Sequence, residues 1–86
     1  MEQVIRRVME MEECLDRLSG VEPAQIPLDP DLQNSLARLK AYCESGQWLR
    51  DYELDEQGLL PRSLKRGVLA QDTLFDLLTT LDPKKE

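Results

Sequence analysis

The residues able to do chemistry crowd into the second half of the chain. Asp51, Glu53, Asp55 and Glu56 place four carboxylates within six residues. Carboxylate oxygens are the ligands that hard divalent cations prefer, so Asp51, Asp55 and Glu56 form a candidate metal trio. The pattern D-x-E-x-D-E-x-G has the look of a calcium loop, but Gly58 falls at its eighth position and Arg62 stands where the bidentate acid belongs. A calcium loop needs its glycine at the sixth position, which leaves only a looser magnesium site as a metal alternative. Asp51 and Asp55 are also four apart, a like-charge pair that costs a few tenths of a kcal/mol on a helix. Arg62, Lys65 and Arg66 follow closely and supply the opposite sign. The plainer expectation is an internal ion-pair network that pins segment 58–68 against the carboxylate-bearing helix.

Trp48 and Tyr52 lie four apart beside these charges. Aromatics at that spacing serve either a core or a partner-binding hot spot, since Trp, Tyr and Arg dominate interface energetics. Trp48, Tyr52, Arg62, Lys65 and Arg66 are therefore the candidate partner-binding residues. The basic trio also raises nucleic acid as a partner. The last helix would have to enter the groove, yet it carries Asp72 and Asp76 and no Lys or Arg between Gln71 and Leu81. With eleven basic against seventeen acidic residues the net charge is −6, the wrong sign for a nonspecific binder. An acidic inhibitor of a nucleic-acid-binding protein is a further alternative on charge alone.

The chain contains no histidine. That removes the usual general base and the usual zinc ligand, so Ser-His-Asp and Cys-His constellations cannot be built in one chain. Cys14 and Cys43 are the two cysteines, far from a CxxC spacing, and are expected as reduced, apolar-behaving thiols. Gly20, Gly46, Gly58 and Gly67 are isolated, so no glycine-rich phosphate loop exists. No catalytic constellation and no cofactor are expected. No apolar run is long enough to cross a bilayer and no secretory pattern opens the chain, so a cytoplasmic location is expected.

The elements that must position these residues follow from apolar periodicity. Val4, Val8, Met11, Leu15 and Leu18 recur at steps of four and three and predict a helix over 2–18, with Glu2, Arg6, Glu10, Glu13 and Arg17 solvated. Pro23, Pro27 and Pro30 make 21–30 a connector, with Val21, Ile26 or Leu28 laid over the end of the core. Asp29-Pro30 is a helix start, and Leu32, Leu36, Leu39 and Cys43 set the stripe of a second helix over 31–44, flanked by Tyr42. A short third helix is expected over 47–56, with Trp48, Leu49 and Tyr52 on one arc, then an irregular stretch with one turn around 62–65. Leu74, Phe75, Leu77, Leu78 and Leu81 give the last helix, 71–81, a wide apolar face; Pro83 and the Lys84-Lys85-Glu86 tail end it. No segment alternates with period two. The expected fold is one all-α domain: a small helical bundle with an antiparallel helix pair, a short third helix, an irregular loop and a C-terminal amphipathic helix.

Segment 48–69 reads W-L-R-D-Y-E-L-D-E-Q-G-L-L-P-R-S-L-K-R-G-V-L. It resembles the core of a small bacterial family, the domain of unknown function 4298, in Trp48, Asp51, Tyr52, Glu53, Asp55, Glu56, Gly58, Leu60, Pro61, Leu64 to Leu69 and Asp72. The opening V-x-x-V-M-E-M-E-E-C-L-D is similar to the family's first helix. Gln47 stands where the family has glutamate before the tryptophan, and Ala70 where it has a helix-capping serine. The resemblance implies a small helical bacterial protein and supplies no activity. The function expected is a noncatalytic protein-interaction module for an unidentified protein partner. A domain of this length buries little more than half of its extended surface, so a surplus apolar face would be covered by a second chain, as in a homodimer.

Overall fold

Helix starts and stops are set by local chemistry. In a computed structural model that describes residues 2–81, α1 spans Glu2–Leu18, α2 Pro30–Glu44, α3 Gln47–Glu56 and α4 Gln71–Leu81. At the head of α2 the Asp29 carboxylate accepts the Asp31 N–H at 2.9 Å, and Pro30 takes the first helical position, where no N–H is needed. At the tail of α3, Gly58 adopts φ +76°. Its N–H donates to the Asp55 carbonyl at 3.0 Å, and the Leu59 N–H donates to Leu54 at 3.1 Å. This Schellman pairing satisfies carbonyls that the helix leaves free and needs a residue without Cβ at Gly58. Among the described residues there is no strand, and the fold is an all-α helical bundle. The tail residues Pro83, Lys84, Lys85 and Glu86 lie outside the described residues.

α1 and α2 run antiparallel. Arg38 of α2 reaches Glu10 of α1 at 3.3 Å, while Tyr42, one turn further along α2, meets Arg7, one turn back along α1, on a shared carboxylate. α1 buries Val8, Met11, Cys14, Leu15 and Leu18 and leaves Glu2, Arg6, Glu10, Glu13 and Arg17 exposed. α2 is rotated relative to the expected stripe. Its buried face is Ser35, Leu36, Leu39 and Tyr42, with Cys43 only half-buried. The rotation arises because α3 packs on the flank that carries Tyr42. Cys14 and Cys43 are not joined by a disulfide.

The connector is more regular than its prolines suggest. Pro23–Leu28 forms a 3-10 turn packed on α2 and α4. Prolines exclude an α-helix there but fit a short 3-10 turn, in which few N–H groups are used. Ile26 is buried and Val21 half-buried, whereas Leu28 points to solvent at 82% exposure. The Gln33 side-chain amide donates to the Pro27 carbonyl at 3.0 Å and ties the turn to α2.

The second half departs from expectation at one turn. The expected turn around 62–65 is present, with the Leu64 N–H donating to the Pro61 carbonyl at 3.2 Å, but Gly67 does not break the chain: it opens a further 3-10 turn, Gly67–Leu69, packed on α1, α3 and α4. Val68 and Leu69 enter the core there. The face of α4 is narrower than its leucines imply: Leu74 and Leu81 are buried, Leu77 and Leu78 half-buried, and Phe75 is 38% exposed. On α3, Leu49 is 52% exposed although it neighbours Trp48. α4 begins at Gln71 without the serine cap; the Ala70 carbonyl accepts the Leu74 N–H at 3.0 Å.

Candidate functional site

The turn at Val68 is held from both sides by side chains far away in sequence. The Val68 N–H donates to Glu12 Oε1 of α1 at 2.9 Å, and the Trp48 indole N–H of α3 donates to the Val68 carbonyl, also at 2.9 Å. Both polar groups of a fully buried residue are thereby satisfied, as a buried backbone requires. Gly67 permits this approach for a reason unrelated to positive φ. A Cβ there would stand 2.8 Å from Glu12 Oε2 and 3.2 Å from Leu15 Cδ2. Gly67→Ala would gain ~0.4–1 kcal/mol if only unfolded-chain entropy counted. Displacing the buried Glu12 from the Val68 N–H costs more, so a net loss of ~1–3 kcal/mol is expected. Urea denaturation checks this; a stabilised Gly67→Ala protein would show that Glu12 moves aside freely.

Asp51 forms the second fixed point. It is fully buried on α3, where Arg7 donates Nε–H to Oδ2 at 2.9 Å and Nη2–H to Oδ1 at 2.6 Å. The Tyr42 hydroxyl donates to Oδ2 at 2.6 Å. One carboxylate thus joins three helices through a bidentate arginine and a phenol. The bond to Asp51 raises the pKa of Arg7. Burial, and then the bond to Asp51, push the Tyr42 hydroxyl far above its ordinary value.

A pH dependence follows. The unfolded chain releases the tyrosine proton near pH 10 while folded Tyr42 keeps it, so the folded state binds more protons above that pH. Stability is expected to be flat below pH 10 in this respect and to fall above it, with a slope approaching ~1.4 kcal/mol per pH unit from Tyr42. Cys43, raised by burial, and Tyr52, raised by Glu56, act in the same sense. Comparison with Tyr42→Phe in urea titrations between pH 8 and 11 isolates the Tyr42 contribution; parallel curves would contradict it.

Arg66 is the third fixed point. Its Nε–H donates to Asp55 Oδ1 at 2.6 Å. Its two terminal nitrogens reach the carbonyls of Arg62 at 3.2 Å, Leu64 at 3.0 Å, Leu60 at 3.4 Å and Pro61 at 2.8 Å. A single guanidinium therefore organises the backbone of an irregular loop that has no ladder of its own, using the forked donors that distinguish arginine from lysine.

The carboxylates of α3 are divided among different partners. Asp51 serves Arg7 and Tyr42, Asp55 serves Arg66, and the negative charge of Glu56 raises the pKa of the Tyr52 hydroxyl. Asp51, Asp55 and Glu56 are not brought together, and among the described residues no group of three His, Cys, Asp or Glu side chains is placed to hold a metal ion. The cation for Asp51 is Arg7, not a member of the downstream basic trio. Within that trio Arg66 faces inward, Lys65 is exposed and 4.0 Å from Asp16, and the exposed Arg62 lends a backbone carbonyl to Arg66. Trp48 is buried, stacked on Tyr52 at 5.1 Å between ring centroids and tilted against Phe75 at 5.2 Å.

Two key residues escaped the sequence reading, Arg7 and Glu12, and Tyr42 was placed only at the flank of the α2 stripe. A signal for them existed. Arg7 precedes Met11, Cys14 and Leu18 at helical steps, and Glu12 lies between Val8 and Leu15 at the same steps. A charge on an apolar stripe must find a partner when the stripe is buried.

An open surface remains on the far side of α1. A hollow of about 400 Å³ lies between α1 and segment 61–65, lined by Ile5, Met9, Pro61 and Leu64 with Glu13, Asp16 and Lys65 at its edge. A second, of about 320 Å³, shares Ile5, Met9 and Glu13 and extends to Glu2. Met9 is 54% exposed. Among the described residues no helix is long and apolar enough to cross a membrane.

Comparison with curated proteins and with solved structures gave no match. The family comparison did. It extends the likeness beyond the tryptophan segment and the first helix to the proline connector and α2, since the matching family model, described as a domain of unknown function (DUF4298), spans residues 1–83. The chain belongs to the DUF4298 family.

Proposed function

We propose that this protein is a noncatalytic protein-interaction module of a bacterial cytoplasm, and that it receives its partner in the trough along α1. The observation that carries this reading is the hollow of about 400 Å³ between α1 and segment 61–65, lined by Ile5, Met9, Pro61 and Leu64 and open to solvent. A concave site with apolar walls and a few polar groups at its rim is a common form of binding site. Two further facts support it. Asp51, Asp55, Arg66 and Trp48, the residues best suited to chemistry, are engaged in holding backbone and helices together. The opposite wall of the trough is fixed by Arg66, so the site is preformed. Metal and nucleic-acid roles have less support, because their residues are committed internally or scattered.

Photo-crosslinking in cells tests the proposal. A benzophenone side chain at position 9 is expected to give a discrete adduct with one other protein, which mass spectrometry identifies. The same group at exposed position 53 on α3 is expected to give none. Absence of an adduct at position 9, or identical adducts at both positions, would remove the assignment of the trough.

A further inference from the structure

We infer that the occupant of the trough is a cationic amphipathic helix of a partner protein. This rests on the trough being the interaction site. The hollow between α1 and segment 61–65 runs along α1 from Ile5 to Asp16, and the row Ile5, Met9 and Glu13 forms the ridge it shares with the smaller hollow beside it. At 1.5 Å per residue that run is about 16 Å long, the length of roughly three turns of a second helix. A straight helical wall and a fixed loop opposite suit a rod-shaped ligand whose apolar residues recur at i, i+3 or i+4, and i+7. Met9 supplies an unbranched, adaptable contact at the centre.

Charge selects the sign of the ligand. Glu12, Glu13 and Asp16 line the trough against Lys65, on a chain of net charge −6. Glu12 is held by the Val68 N–H, while Asp16 and Lys65 form an exposed pair at 4.0 Å that competes weakly with an incoming cation. Lysines and arginines flanking the apolar stripe of a partner helix would meet this border. A second copy of this chain would present the same carboxylates to each other across a twofold axis, which opposes self-association. Contact limited to one helix face is small, so a dissociation constant of about 1–100 μM is expected.

The test is a titration of the isotope-labelled protein, followed by amide chemical shifts. Three synthetic fourteen-residue peptides serve as probes: leucines at helical spacing with lysine and arginine elsewhere; the same with leucines changed to glutamine; and the same with the basic residues changed to glutamate. The first peptide is expected to shift amides of residues 5–16 and 61–65, and the second to lose binding. The double variant Glu13→Lys, Asp16→Lys changes two exposed side chains and is expected to weaken the first peptide about tenfold or more. Glu53→Lys, exposed on α3, is expected to leave its affinity unchanged. Shifts in the trough from the acidic peptide but not the basic one would overturn the inferred partner while leaving the site standing. Concentration-dependent trough shifts without peptide would do the same in favour of a second copy. Silence of the trough amides toward every peptide and in dilution would remove the site and the partner together.

Discussion

Asp51→Asn is expected to destabilise the protein by ~3–5 kcal/mol, the cost of removing one partner from a buried ion pair. The native carboxylate is fully buried and accepts three hydrogen bonds, two from Arg7 and one from Tyr42. An asparagine has nearly the same shape but turns one acceptor oxygen into an NH₂ donor. That donor would face Arg7 or Tyr42, both of which also donate, and the guanidinium would lose its counter-charge in a partly buried place. A chain of this size has a total stability of only ~4–13 kcal/mol. The loss is therefore a large share of the whole, and the thermal midpoint should fall by more than ~10 °C at ~4–8 °C per kcal/mol. Circular dichroism with heat and urea measures it. An Asp51→Asn protein within ~0.5 kcal/mol of the parent, the ordinary range for surface changes, would show that the triad does not join the helices. The combined variant Arg7→Met, Tyr42→Phe, Asp51→Leu should recover most of the loss, since an apolar replacement of a whole buried network leaves nothing unpaired.

Trp48→Ala is expected to cost ~3–5 kcal/mol, the range for deleting a large buried aromatic. The indole fills the junction of α3, α4 and the Val68 turn. It stacks on Tyr52, leans on Phe75 and satisfies the Val68 carbonyl. Trp48→Phe separates these contributions. It keeps one six-membered ring for Tyr52 and Phe75, leaves a small void, and removes the N–H donor, so that the buried carbonyl loses its partner at ~1–3 kcal/mol. Urea denaturation of both variants gives the comparison. Equal losses would mean that the hydrogen bond, not the ring, holds the turn; a negligible Phe effect would assign nearly all of it to packing. Because the α1 trough lies on a different surface, both variants should retain peptide binding for as long as they stay folded.

The local features were readable from neighbouring residues. Helix starts such as Asp29-Pro30, stops such as Gly58, and the solvated acids of α1 depend on groups within a few positions of one another. The return of the tryptophan segment onto the basic turn was legible too, in Asp55 with Arg66, because these mutually attractive groups are only eleven positions apart. The identity of the cation beside Asp51 was not. Several arginines and lysines were equivalent candidates on the page, and the one that pairs is 44 positions away on α1. The hidden face of α2 was mistaken by one residue for the same reason: periodicity names a stripe, and a neighbouring helix decides which edge of it is covered.

What the amino-acid order determined alone is therefore the set of helices, their ends and the sign of the surface, all governed by short-range hydrogen bonding, backbone sterics and composition. Only the tertiary structure decided that Arg7, Glu12 and Tyr42 turn inward, that the acids of α3 face different partners, and that Met9 is left uncovered. A buried charge takes whichever opposite group the packing of distant helices delivers within hydrogen-bond reach, and that distance is not written in the spacing of residues along the chain.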